Sequence, residues 1–326
     1  MENRVLLSVR DLHVHFHTRQ GIVQAVNGVN ISIRQRDAVG IVGESGCGKT
    51  MTALSILRLV PGPSGRIVQG EIKFDGKDIL KLPEADIRQI RGNQISMIFQ
   101  DPMTSLNPVY TIGNQMAEVF HLHSKGLKNK EIRDRCVELL KLVEIPMPEQ
   151  RIYQYPHELS GGMRQRVMIA LALACKPKLL IADEPTTAVD VTIQAQIIEL
   201  ISKLKEESNT AVILITHNLG LMAENTNQVI MMYAGKVVEN GAVDDVIDHP
   251  FHPYAQGLIN SIPRMGKNFS EMKQKLHEIP GVVPRLINLP KGCIFAPRCP
   301  RRMEICEQKE PEKKEIGPNH HAWCWQ

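Results

Sequence analysis

The sequence predicts an α/β protein, a parallel sheet interrupted by an inserted helical region, with antiparallel strands ahead of it and a small irregular tail behind it. Three observations predict this. Two compact apolar runs, Leu179 to Ala182 and Ala211 to Ile215, flank an amphipathic helical pattern from Thr192 to Glu207, so strand, helix and strand form one parallel unit. A third run, Ala38 to Val42, is nearly continuous and stops at Gly43, as a buried strand does. After Gly241 the composition turns rich in proline (Pro250, Pro253, Pro263, Pro280, Pro284, Pro290, Pro297, Pro300), the mark of a largely irregular appendage.

The remaining elements follow in order. From Leu6 to Ile33 apolar residues alternate with polar ones (Val9, Leu12, Val14, Phe16; Val29, Ile31, Ile33), which predicts antiparallel strands with one wet face. Thr50 to Leu59 reads as a helix, and Gly70 to Asp75 and Gln94 to Phe99 as strands. Most of Gly113 to Cys175 is helical in pattern. Within Asn129 to Val143 the residues Ile132, Cys136, Leu139, Leu140 and Val143 share one face, which makes Cys136 a small core residue. No internal repeat or low-complexity tract interrupts the chain.

A length of 326 residues suits about two domains and a sizeable core. Lys and Arg total 39 against 35 Asp and Glu, and 39 − 35 = +4 is too small and too dispersed to imply a nucleic-acid groove. Apolar runs such as Val167 to Cys175 are cut short, here by Lys176 and Pro177, well before the ~18 residues of a membrane helix. The first residues lack a secretory pattern, so the cytoplasm is the expected compartment. Of seven cysteines, Cys47, Cys136 and Cys175 are scattered, while Cys293, Cys299, Cys306 and Cys324 crowd into the tail. In a reducing compartment these are thiols or metal ligands before they are disulfides.

Gly43-Glu-Ser-Gly-Cys-Gly-Lys49-Thr50 fits a phosphate-binding loop between strand and helix. Its glycines (Gly43, Gly46, Gly48) let successive N–H groups of the loop, Ser45 and Cys47 included, turn toward one anion, and the helix opening at Thr50 and Met51 adds its positive end. Lys49 is placed for the β- and γ-phosphates of a nucleotide and Thr50 for magnesium. Leu179-Leu-Ile-Ala-Asp183-Glu184 supplies a buried strand ending in two carboxylates at the sheet edge where ligands bind. Asp183 suits the magnesium shell and Glu184 the attacking water, the plainer alternative being two acids that cap the next helix.

Leu159-Ser160-Gly161-Gly162-Met163, followed by Arg164-Gln-Arg166, resembles the signature sequence of the ABC ATPases. A serine, two glycines and a helix start make an anion site without a lysine. The resemblance implies an ABC-type phosphate-loop NTPase: a RecA-like core, an antiparallel β-subdomain and an inserted helical subdomain at about 101–175, within an ATPase domain of residues 1–241. It implies that Ser160, Gly161 and Gly162 grip the γ-phosphate bound to a second subunit, so that ATP is held at a dimer interface. It also assigns Gln100 to sensing magnesium and the nucleophilic water, Asp190 to crossing the interface, and His217 to hydrogen-bonding the γ-phosphate. Phe16 is the candidate for stacking on adenine, a core phenylalanine being the alternative.

Thr104-Ser-Leu-Asn-Pro108 after Asp101-Pro102, His252-Pro-Tyr254, and Leu289-Pro-Lys-Gly-Cys293-Ile-Phe-Ala-Pro-Arg-Cys299-Pro are similar to the ATP-binding subunits of bacterial dipeptide and oligopeptide importers. That resemblance makes residues 242–326 an importer-type extension. It implies a second ATPase subunit, identical or paralogous, two membrane permeases, a peptide-binding protein further out, and a peripheral place on the cytoplasmic face of the membrane. Nucleic acid is not an expected partner. The tail cysteines are separated by five, six and seventeen residues, and four thiolates can complete a metal site. The resemblance implies a four-iron four-sulfur cluster on Cys293, Cys299, Cys306 and Cys324; zinc on the same residues, or with His320 or His321 replacing one, and unligated thiols are the alternatives. Soluble ABC ATPases acting on DNA or ribosomes fit less well, because residues between Thr50 and Leu159 contain only short helices and loops, and the chain carries a single set of motifs. An importer of nickel or another small solute stays open.

Overall fold

Alternating burial along β1 (Val5–Thr18) and β2 (Gly21–Arg34), against continuous burial along β3 (Ala38–Val42), separates the one-faced strands from the enclosed ones as the apolar spacing requires. The computed structural model describes residues 4–124, 126–186, 191–261 and 279–326. After β3 come α1 (Lys49–Ile56), β4 (Gly65–Phe74), β5 (Lys77–Asp78), α2 (Glu84–Ile90) and β6 (Ile95–Ile98). Helices α3 (Pro102–Ser105), α4 (Ile112–His123), α5 (Asn129–Leu142), α6 (Pro148–Arg151) and α7 (Gly161–Leu173) fill the predicted insert. Then follow β7 (Leu179–Asp183), α8 (Val191–Ser208), β8 (Ala211–Ile215), α9 (Leu219–Asn225), β9 (Gln228–Tyr233) and β10 (Lys236–Ala242). The last segment adds α10 (Val243–Asp248), α11 (Pro253–Asn260), α12 (Ile305–Gln308), β11 (Lys314–Gly317) and β12 (His320–Ala322).

The chain divides into two compact units. The first holds Ile33–Ala38 and Lys81–Ile215. Its strands β6, β7 and β8 run parallel, with Ile95 beside Leu179 and Leu179 beside Ala211, and each is buried along its whole length. Helix α4 starts at Thr111, whose hydroxyl accepts the Asn114 N–H at 3.3 Å, and buries Ile112, Met116 and Phe120. Helix α5 buries Ile132, Cys136 and Leu140. Burial pushes the Cys136 thiol up to about 11, so it is the small apolar core residue that its helical position predicts.

The second unit holds Leu6–Ser32, Val39–Leu80 and Thr216–Gln326. One sheet runs β2-β1-β4-β5, with Leu7 opposite Phe74 and Phe16 opposite Gly65 in the antiparallel β1–β4 pair. In the other, β3 lies parallel to β9, β9 pairs antiparallel with β10, and β10 with β12. Ala234 and Gly235, at φ 46° and 86°, make the tight turn from β9 to β10.

The tail differs from the irregular appendage that its prolines predict. Strand β12 extends the sheet beside β10, setting Ala322 against Glu239 and His321 against Asn240. Tyr233, Tyr254, Ile294, Phe295 and Ala296 are buried together with Val238, Val243 and Val246 in one apolar cluster. Each tail segment is too short to show a period, so its apolar content is legible only once the segments converge.

Candidate active site

In the second unit the candidate phosphate loop is the turn between β3 and α1. Gly43, Gly46 and Gly48 have φ of 154°, 77° and 99°. A Cβ on Gly43 would stand 2.1 Å from the Met232 carbonyl, and one on Gly48 2.4 Å from the Ala25 carbonyl, so these two positions admit only glycine. The loop therefore lies directly on the backbones of β9 and β2. Lys49 is buried, and its Nζ donates to the Gly43 carbonyl at 2.8 Å and the Glu44 carbonyl at 3.2 Å. The ammonium is thus folded onto the loop's own carbonyls. Thr50 opens α1 behind it. Burial raises the Cys47 thiol, which makes it a packing residue of the loop rather than a nucleophile.

The same unit carries His217 and Phe16. Thr216 is tied to the strand beneath the loop, its N–H donating to the Ile41 carbonyl at 3.3 Å, and the His217 side chain is exposed just beyond it. Phe16 is half-buried; a Cβ on its strand partner Gly65 would meet the ring at 2.6 Å, so the glycine leaves room for the aromatic between neighbouring strands.

The first unit carries a further set of candidate residues. Asp183 ends β7 and is 1% exposed. Glu184 follows in the left-handed region at φ 45°, its N–H held by the Ile215 carbonyl at 2.9 Å. That turn sends its carboxylate to Gln100, whose Nε2 donates to Oε2 at 2.9 Å. Ser160 caps α7, its hydroxyl accepting the Met163 N–H at 3.3 Å, with Gly161 and Gly162 as the first helical residues. No atom lies within 4 Å of a Cβ built on Gly161, so an anion can approach this helix start closely. Asp190 lies outside the described residues.

Residues beyond those expected also enter. Gln165, on the buried face of α7, donates from Nε2 to the Pro185 carbonyl at 2.6 Å and so ties the signature helix to the residue after Glu184. Its place in the Arg164-Gln-Arg166 run hinted at this, though one polar residue in a helix names no partner. Glu44 donates its N–H to the Tyr254 hydroxyl at 2.8 Å, and its carboxylate accepts from Arg298 Nη1 at 2.7 Å and Nη2 at 3.1 Å.

A metal was expected on the four tail cysteines. Cys293, Cys299, Cys306 and Cys324 are free thiols in one neighbourhood. Burial pushes Cys293 up to about 11 and raises Cys299 and Cys324, and Cys306 and Cys324 add repulsion to any thiolate at Cys293. Thiols are the right donors for an iron–sulfur cluster or zinc, but among the described residues no three His, Cys, Asp or Glu side chains form a group that could hold a metal ion. His320 and His321 turn instead to β10: His320 Nε2 lies 2.8 Å from Glu239 Oε1, and His321 Nδ1 3.2 Å from Asn240 Oδ1.

A phosphate loop, a strand ending in two acids, and a serine-capped glycine helix start define a nucleotide-hydrolysing enzyme of the phosphate-loop class. Residues 26–187 match the ABC transporter family, and residues 238–306 match the oligopeptide/dipeptide transporter C-terminal region. A probable peptide ABC transporter ATP-binding protein of Sinorhizobium fredii is 52% identical across 98% of this chain and 95% of its own. The oligopeptide transport ATP-binding protein OppD of Salmonella typhimurium is 52% identical across 94% of this chain and 90% of its own. The dimeric post-hydrolysis structure of an ATP-binding cassette bound to ADP and phosphate, 28% identical, superposes with a TM-score of 0.66 over 73% of this chain and 98% of that one. The protein belongs to the ATP-binding subunits of the ABC transporter family.

Proposed function

We propose that this chain is the ATP-hydrolysing subunit that energises import of dipeptides or oligopeptides through a membrane transporter. The observation that carries the reading is the pairing, in one chain, of the ABC match at 26–187 with the peptide-transporter match at 238–306. Relatives at 52% identity over nearly their whole length bear peptide-transport names, which supports peptides over nickel or another small solute. An ATPase body of residues 1–241 and an extension of 242–326 agree with where the two matches fall. Among the described residues no helix is long and apolar enough to cross a membrane, so the subunit works from the cytoplasmic face beneath two permeases, with a peptide-binding protein beyond them.

In this reading ATP lies between two ATPase subunits, identical or paralogous. N–H groups of the loop from Gly43 to Thr50, other than those of Glu44 and Cys47 that bond within the protein, join Lys49 in holding its phosphates from one side, and Ser160, Gly161 and Gly162 of the other subunit hold the γ-phosphate. Phe16 offers its ring edge to the adenine. The hydroxyl of Thr50, the carboxylate of Asp183 and the amide oxygen of Gln100 are hard oxygen donors of the kind magnesium takes alongside phosphate and water. Magnesium, when bound, neutralises charge developing on the transferred phosphoryl group. Glu184 accepts the proton of the attacking water, and His217 and Asp190 complete the γ-phosphate surroundings. Gln100 has two tasks, and its bond to Glu184 is the contact that it exchanges between them.

The cluster or zinc site on Cys293, Cys299, Cys306 and Cys324 is a finer reading that rests only on donor chemistry and the shared neighbourhood of the thiols. Broad visible absorption in anaerobically purified protein, lost in Cys299→Ser, would carry it; metal-free protein with full activity would remove it. The function itself is tested in proteoliposomes holding the subunit, its partner ATPase and the co-encoded permeases. Peptide-stimulated ATP hydrolysis with uptake of labelled peptide is expected, and stimulation by nickel or DNA instead would overturn the assignment.

A further inference from the structure

The phosphate loop of this protein is braced from the C-terminal tail. Glu44, its second residue, is held at every polar group. Its carbonyl accepts from Lys49 Nζ at 3.2 Å and from the Cys47 N–H at 3.3 Å, both contacts within the loop. The other two grips come from more than two hundred residues away: the Tyr254 hydroxyl takes the Glu44 N–H, and the Arg298 guanidinium takes both carboxylate oxygens in a two-pronged pair. Arg298 is 5% exposed and Glu44 27%, so this pair is shielded from water as a surface ion pair is not.

The brace is itself stiff. Tyr233, Tyr254 and Phe295 pack ring to ring with centroids 4.8–5.5 Å apart. Arg298 lies over the Tyr233 ring at 5.7 Å and donates from Nε to the Pro280 carbonyl at 2.9 Å and from Nη2 to the Ile279 carbonyl at 3.2 Å. On the other side of Glu44, Gly43 lies on the Met232 carbonyl, and β9 continues into Tyr233. Tail, β9 and loop thus close one ring of contacts around a single glutamate, next to the carbonyls that carry Lys49.

We infer that Arg298 and Tyr254 are positioning residues for the phosphate loop, so that the tail sets this subunit's affinity for magnesium-ATP by fixing Glu44. Neither residue touches the nucleotide. Freed of the two grips, Glu44 swivels about Gly43, and the Lys49 ammonium loses one of the carbonyls that aim it. ATP binding then weakens more than turnover, because the chemistry lies with Glu184 and the signature helix. This rests on the reading of the loop as the ATP site.

The test uses the full-length chain in its assembled transporter. Glu44→Gln and Tyr254→Phe are the informative variants, since both leave the bonds of Arg298 to the tail carbonyls intact; Arg298→Ala, Arg298→Lys and Lys49→Ala accompany them. Equilibrium magnesium-ATP binding, KM and kcat are measured beside the thermal unfolding of each variant. Glu44→Gln and Tyr254→Phe are expected to melt like the parent while raising Kd and KM about five- to tenfold, the scale of one hydrogen bond, with a smaller fall in kcat. Arg298→Lys recovers part of what Arg298→Ala loses, because lysine keeps the charge without the fork. Parental Kd and KM in Glu44→Gln and Tyr254→Phe, with binding abolished in Lys49→Ala, would overturn the brace alone. Retained binding in Lys49→Ala would overturn the loop assignment and the brace with it.

Discussion

The Gln100 side-chain amide donates to the Glu184 carboxylate at 2.9 Å, so a residue just beyond β6 holds the acid that follows β7. Glu184→Gln keeps the shape and removes the carboxylate proposed as proton acceptor. Turnover is expected to fall by ~10²–10⁴ while ATP still binds. Near-normal hydrolysis would take Glu184 out of the role.

Gly48 admits no side chain. At φ 99°, with the Ala25 carbonyl 2.4 Å from where a Cβ would sit, Gly48→Ala is both strained and overpacked. The loop must shift off β2, and ATP affinity should fall below detection in isothermal titration while the circular dichroism of the sheets persists. Gly46→Ala meets nothing within 4 Å and is opposed only by its φ of 77°, so its effect should be the milder of the two.

Much of the nucleotide machinery was legible because each piece is local. A glycine loop after an apolar strand, two acids after another, and a serine before two glycines each sit within about one turn of chain. The expected helix from Asn129 and the strand–helix–strand of Leu179 to Ile215 formed for the same reason, since their burial repeats at short range. What the sequence concealed is long-range. Arg298 reaches Glu44, His320 reaches Glu239, and Tyr254 stacks on Tyr233 across separations that no local pattern encodes. Tyr254 lay inside a motif that the sequence marked, His252-Pro-Tyr254, without any sign of its partner. The number of tail cysteines suggested ligands, but their sequence spacing gave no sign that Cys293 and Cys306 would be buried with Phe295 and Ile294 in one apolar cluster.

Aromatic packing should contribute heavily to the stability of the tail. Phe295 is 1% exposed and edge-on to Tyr233 at 5.1 Å. Phe295→Ala is expected to destabilise the protein by about 3–5 kcal/mol, the usual loss for a buried aromatic. Urea denaturation of the variant beside the parent would show the loss, and parental stability in Phe295→Ala would remove the packing role.

His252 gives the tail its acid sensitivity. It caps α11, its Nδ1 accepting the Tyr254 N–H at 3.0 Å, while its own N–H donates to Glu239 Oε2 at 2.7 Å. Burial pushes the imidazole down to about 3 from the 6.5 of an exposed histidine. The unfolded chain therefore binds a proton that the folded one refuses. The neutral ring's contribution is complete above pH ~6.5 and is lost as pH falls toward about 3, by about 1.4 kcal/mol per unit within that window. Asparagine can cap the same N–H without titrating, so in His252→Asn the pH dependence of urea-denaturation stability between pH 6.5 and 4 should flatten by about that slope. An unchanged slope would mean that the ring is already charged in the folded protein, and the cap would then have to be made by a different acceptor.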